Sequence, residues 1–202
     1  VERRPDALLV ALIRHGRTAA NAERRFVGRT DVPLDDVGLA QAASLGARFA
    51  GVFDAVYASP LVRARQTAAP IGDPVVVQDL IELDQGALEG LAAKEAFARF
   101  PEFFATFQVD PASIALPGGE SLAACADRAH RALDAVLARH RDGDAVAVVT
   151  HQMVVASIRC RVARAPLAAW RDHAVDNAAV VWLARVEGRL VALDRDPSEG
   201  AG

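Results

Sequence analysis

Cysteine is scarce in this chain, and the two present, Cys125 and Cys160, stand far apart. Neither has the spacing of a metal ligand or of a redox pair, so a disulfide framework and a cysteine-built metal centre are both excluded. They are expected to be buried free thiols in a reducing compartment. Long apolar runs are also lacking. The stretch after the charged residues 1–6 is too short for a signal core or a membrane span, which predicts a soluble cytoplasmic protein without a membrane partner. A basic excess is missing as well: 23 Lys and Arg face 26 Asp and Glu, a net charge of −3. Such a balance cannot displace the counterions of a polyanion, so nucleic acid is not expected as a partner. Lysine is nearly absent, with Lys94 alone among the 23 basic residues, which reads as compositional bias of an arginine- and alanine-rich chain. Finally, there is no Gly-x-Ser-x-Gly elbow, no Walker loop and no Gly-x-Gly-x-x-Gly after a strand.

What is present is a core-forming composition. Hydrophobic residues make up 52% of 202 positions, enough for one domain with a full core. Apolar runs predict strands over 8–13, 55–58, 75–77 and 145–150. A final pair, 180–186 and 190–193, turns at Glu187-Gly188 as a hairpin. Helical periodicity covers 39–50, 63–71, 121–139 and 154–162. Strands alternating with helices predict an α/β fold: a three-layer α/β/α sandwich with a mainly parallel sheet, made mixed by the hairpin. The hairpin also offers an edge at which two copies could pair as a homodimer. Residues 92–115 differ in character. Phe97, Phe100, Phe103, Phe104 and Phe107 place five of the eight phenylalanines within eleven positions. This segment is expected to be a small helical cap insert on a single domain spanning 1–202, packing its aromatic face onto the body. As a lid it would favour a substrate with a hydrophobic body.

The first predicted strand stops abruptly at Arg14-His15-Gly16, delivering a cation and an imidazole to a strand's carboxyl end, where ligands collect in open α/β sheets. Three further stretches carry chemistry: Ser59-Pro60-Leu61-Val62-Arg63-Ala64, Leu80-Ile81-Glu82-Leu83-Asp84, and Val148-Val149-Thr150-His151-Gln152. Planar guanidinium forks at Arg14 and Arg63 suit phosphate oxygens. Their charge would hold the His15 ring neutral, as a nucleophile requires, with a backbone carbonyl fixing its tautomer. Arg65, two residues on, is expected to face elsewhere. His130, His140 and His173 lack metal-ligand spacing, and arginines supply the charge a metal would bring, so neither metal nor cofactor is expected.

In this order, and together with Arg25-Phe26-Val27-Gly28-Arg29-Thr30 and Leu116-Pro117-Gly118-Gly119-Glu120-Ser121, these blocks resemble the histidine phosphatase superfamily, the phosphoglycerate-mutase-like proteins. The resemblance covers most of residues 8–185. It implies a phosphate pocket of Arg14, His15, Arg63 and His151, with His15 becoming phosphohistidine. Asn21 matches an asparagine that touches the phosphate, and Gly28 and Gln152 are also read as substrate-binding. The matching acid is Glu82, which would protonate the leaving alkoxide; Asp84 and Glu89 are its rivals, Glu89 more in a structural role. Two positions depart from the pattern. Arg17 stands where the family has an acid or glutamine, and Gln152 where glycine is common; both bear on the substrate and not on the reaction. The expected activity is metal-independent hydrolysis of a small phosphorylated metabolite. The alternatives are a cofactor-dependent phosphoglycerate mutase, for which the segment from Glu82 to Pro117 is short, and a non-catalytic phosphate-binding regulator.

Overall fold

The computed structural model describes residues 7–194, 196 and 197; the charged stretch 1–6 lies outside the described residues. Six strands form one sheet in the order β3-β2-β4-β1-β5-β6. They are β1 (Leu8–Arg14), β2 (Ala55–Ala58), β3 (Pro74–Val76), β4 (Ala145–Thr150), β5 (Val180–Val186) and β6 (Arg189–Ala192). The first four run parallel, whereas β5 pairs antiparallel with both β1 and β6. The hairpin therefore extends the sheet with β5 beside the central strand, leaving only β6 at that edge. Glu187 and Gly188 turn it with φ of 50° and 76°, the pair of positive φ values that matches strand twist.

β1 explains the layering. Leu8, Val10 and Leu12 enter one core, Leu9, Ala11 and Ile13 the other, so a strand buried on both faces reads as a continuous apolar run. On the first face lie α6 (Leu122–Leu137) and α7 (Gln152–Ala163), which contribute Leu122, Leu133, Val154 and Ile158. On the second lie α2 (Asp36–Phe49) and α3 (Val62–Ala68), which contribute Leu45, Phe49, Ala64 and Ala68. The predicted α/β/α sandwich is thus the observed one. Caps set the helix starts: Asp35 accepts from the Gly38 amide and starts α2 three residues earlier than periodicity alone, whereas Ser121 accepts from the Ala124 amide as the cap of α6, which starts one residue later than expected.

Two short helices, α4 (Ala93–Arg99) and α5 (Pro101–Val109), fall within 92–115. Phe100, Phe103, Phe104 and Phe107 pack against the first core. A four-residue helix, α1 (Ala19–Ala22), follows β1 and is closed by a capping box between Thr18 and Asn21. Among the described residues no helix is long and apolar enough to cross a membrane.

Candidate active site

Register brings the chemistry together. Arg14 pairs with Thr150 across β1 and β4, and the His15 amide continues the ladder to the Thr150 carbonyl at 2.9 Å. His15 and His151 therefore leave adjacent strand ends side by side, with ring centroids 5.1 Å apart. On the other flank of β4, the Ser59 amide bonds the Val149 carbonyl at 3.0 Å. This brings the Ser59 hydroxyl to 2.6 Å from His151 Nε2. Arg63 follows in the first turn of α3.

His15 is buried, and its Nδ1 lies 2.7 Å from the Gly16 carbonyl. With Nδ1–H donating there, the lone pair sits on Nε2. Its pKa is lowered to about 3, first by burial and then by the charges of Arg63 and Arg14, against the opposing pull of the Gly16 bond. The ring is neutral at physiological pH. His151 is pushed well down for the same reasons, burial first and then Arg63 and the neighbouring His15.

Arg63, only 1% exposed, is aimed by two backbone carbonyls: Nη2 donates to Gly28 at 2.6 Å and Nη1 to Thr30 at 2.9 Å. Arg14 Nη1 donates to the Val175 carbonyl at 2.7 Å. Both guanidinium groups still keep a buried Nε without a partner among the described residues, and Nδ1 of His151 is likewise unpaired among them. Three orphaned polar atoms thus come from the ends of β1 and β4 and the start of α3. Buried groups of this kind are rare and call for a ligand.

Glu82 is buried beside them. Its carboxylate accepts from the Leu83 amide at 2.8 Å and the Met153 amide at 3.3 Å, the latter in the first turn of α7. Burial nevertheless raises its pKa, against the opposing pull of those amides, Arg63 and Arg14. The charge of Arg63 registers at His15, His151 and Glu82 alike, so the three titratable groups form one electrostatic unit.

The remaining residues singled out in the sequence occupy supporting places. Asn21 spends its Oδ1 on Thr18 and Asn177, which leaves its amide nitrogen to donate. Gly28 donates its amide to Glu89 and accepts from Arg63. A Cβ there would stand 2.3 Å from the Leu83 carbonyl oxygen, so only glycine fits. Gln152 Oε1 lies 3.4 Å from the Val175 amide, on the same residue that holds Arg14. Asp84 pairs with Arg29 at 3.3 Å and caps the Gly86 amide. Glu89 accepts from Gly28, Arg29 and Thr30. Arg17 pairs with Asp35 at 2.8 Å, and Arg65 is exposed.

Three contributors escaped the sequence reading. Asn177, in the loop before β5, donates to the His15 carbonyl at 3.1 Å and to Asn21 at 3.2 Å; it sits in no recognisable motif. Ser59 lies in a quoted block, yet its partner is distant in sequence. Arg128 donates to the carbonyls of Asp79, Ile81 and Glu82 and to Glu120, clamping the segment that carries Glu82. A lone charge on the apolar stripe of α6 was the available signal.

Similarity to known proteins spans the stretch of chain that carries these residues. The model of the histidine phosphatase superfamily, branch 1, matches residues 10–195. A metal-independent phosphoserine phosphatase of Arabidopsis thaliana is 36% identical over 165 residues, covering 77% of this chain and 69% of that protein. Phosphoserine phosphatase 1 of Hydrogenobacter thermophilus is 30% identical, over 90% of this chain and 89% of its own length. Among solved structures, the alpha-ribazole phosphatase of Shigella flexneri superimposes with a TM-score of 0.81 at 25% identity, covering 92% of this chain and 94% of that one.

Proposed function

Because the chain belongs to the histidine phosphatase superfamily, we propose that it hydrolyses phosphomonoesters of small metabolites through a phosphohistidine on His15, without a metal ion. The observation that carries this reading is the trio of orphaned atoms, Arg14 Nε, Arg63 Nε and His151 Nδ1, grouped around a neutral imidazole. A phosphoryl group supplies the acceptor oxygens that all three call for, and two buried cations balance its charge.

In the first half-reaction the Nε2 lone pair of His15 attacks phosphorus in line. The ester P–O bond breaks, and Glu82, whose pKa burial raises, acts in its protonated form and gives its proton to the departing oxygen. Arg14, Arg63, His151 and the Asn21 amide hold the equatorial oxygens. In the second, water attacks phosphorus, Glu82 takes up the proton, and the P–N bond breaks to release phosphate and neutral His15. Gly28 and Gln152 act through Arg63 and through the Val175 segment that fixes Arg14. Residues 92–115 form the cap, and α4 and α5 of 7 and 9 residues leave room for water, which favours hydrolysis over mutase chemistry. The relatives named for phosphoserine and alpha-ribazole suggest esters of primary alcohols. Buried free Cys125 and Cys160 suit a reducing cytoplasm.

Labelled substrate quenched without acid should yield an alkali-stable, acid-labile phosphoenzyme that is absent in His15→Ala. Label on serine or aspartate would overturn the mechanism. Exhaustive chelation should leave turnover of p-nitrophenyl phosphate intact, and 3-phosphoglycerate should not be isomerised.

A further inference from the structure

A cavity of about 270 Å³ lies against the helix pair α4 and α5. Phe97, Phe103, Phe104 and Phe107 from the pair and Phe26 from the body line it. The Phe97 and Phe104 rings lie 4.1 Å apart, and Phe103 meets Phe104 edge-on at 5.0 Å. Leu83 and Met153 belong to the same wall. Their backbone amides are the ones that hold the Glu82 carboxylate. The aromatic cavity and the acid therefore share two residues.

On the phosphatase reading above, the oxygen that Glu82 protonates belongs to the leaving alcohol. The group attached to that oxygen would begin beside the Glu82 carboxyl, whose amide partners Leu83 and Met153 also line the cavity. We propose that the aromatic cavity holds this alcohol portion, and that the preferred substrates are phosphomonoesters of primary alcohols carrying a planar apolar body, an aromatic ring above all.

The lining decides between substrate chemistries. Ring edges and faces at these separations accept another ring in offset or edge-on contact. No carboxylate lines the cavity among the described residues, and the side-chain acceptors in its lining are the neutral amide oxygens of Gln85 and Gln108, so an ammonium group would exchange water for uncharged partners alone. Its polar lining includes Arg171, whose guanidinium lies 4.6 Å over the Trp170 ring. Trp170 itself keeps a buried Nε1 without a partner among the described residues. Those two groups are donors, which suits a neutral or acceptor-bearing body and offers nothing to the ammonium of phosphoserine. The phosphoserine named for two relatives is on this ground a poor substrate here.

The test compares alkyl esters of similar leaving-group chemistry: propyl phosphate, 3-phenylpropyl phosphate and O-phospho-L-serine. The expected kcat/KM for 3-phenylpropyl phosphate exceeds that for propyl phosphate by about tenfold to a hundredfold, with O-phospho-L-serine lowest. In Phe104→Ala the ratio of the two alkyl esters should shrink by about fivefold or more. Phe97→Ala, at a half-exposed position, should shrink it in the same direction and serves should Phe104→Ala fail to fold. Equal kcat/KM for the propyl and phenylpropyl esters, or a preference for O-phospho-L-serine, overturns this inference and leaves the phosphatase reading standing. Phosphate release from none of the three overturns both.

Discussion

His151 Nε2 and the Ser59 hydroxyl oxygen lie 2.6 Å apart, and this pairing decides which nitrogen of His151 carries the proton. Ser59 Oγ accepts the Leu61 amide at 3.4 Å on one lone pair and keeps its own proton to give to His151 when Nδ1 carries the ring proton for the phosphoryl group. Nε2 then accepts, and Nδ1–H is left to donate to the phosphoryl group. Ser59→Ala should release the tautomer and lower kcat/KM about tenfold to a hundredfold, less than outright removal of a preorganised donor. Nitrogen NMR of the ring should report mixed tautomers in the variant. An unchanged tautomer with full activity would refute the assignment.

Glu89 is expected to act on Arg63 at one remove. It organises the amides of Gly28 and Arg29 and the Thr30 hydroxyl, and the carbonyls of Gly28 and Thr30 aim the Arg63 guanidinium. Glu89→Ala should raise KM for p-nitrophenyl phosphate and weaken inhibition by inorganic phosphate about tenfold. It should also cost roughly 0.5–1.5 kcal/mol of stability, since two of the three donors it frees are exposed to water. Glu89→Gln keeps one acceptor oxygen and should recover part of the affinity. A fall in kcat at constant KM would instead place Glu89 in the chemistry.

Much of this arrangement was legible in the residues, and the exceptions share a cause. β2, β4 and β5 fall on the bounds their apolar runs predicted, because strands flanked by helices are apolar throughout. The Arg14, His15, Arg63 and His151 cluster was legible because each follows a strand end or opens a helix, and parallel register sends all of them to one edge. β3 proved to be a three-residue edge strand starting at Pro74, one position early, where proline is tolerated. Asn177, Ser59 and Arg128 were not legible, since each acts on a residue far away in sequence. Nor was the main reason for the neutrality of His15. Two arginines were visible, but burial outweighs them.

Burial of neutral His15 predicts acid sensitivity. Its folded pKa of about 3 lies below the ordinary 6.5, so between these values the unfolded chain binds the proton and the native state does not. The stabilisation is complete above pH 6.5 and is lost as pH falls towards 3, at up to roughly 1.4 kcal/mol per pH unit for one such group. His151 adds to the slope in the same direction. Urea midpoints should fall steadily across this window, and His15→Ala should fall less steeply. Parallel slopes for the two proteins would show that His15 is not the group responsible.

Glu82→Gln should separate proton donation from binding, and it should do so with opposite effects on rate and stability. A phenolate leaves with little help, whereas an alkoxide needs a proton. Single-turnover phosphorylation by an alkyl phosphate should therefore fall by about a hundredfold or more, and that by p-nitrophenyl phosphate far less. The basic limb of the pH–rate profile, where the acid is lost, should vanish. The raised pKa of Glu82 means that the fold favours the protonated form. Its contribution to stability is present below the ordinary 4.5 and is lost as pH rises towards the folded value. The carboxamide introduced by Glu82→Gln does not titrate, and its oxygen can still accept from the Leu83 and Met153 amides. The variant should therefore unfold at higher urea than the parent at neutral pH, by a margin that closes on acidification. Equal loss on both esters would move the acid role to Asp84, whose carboxylate now pairs with Arg29.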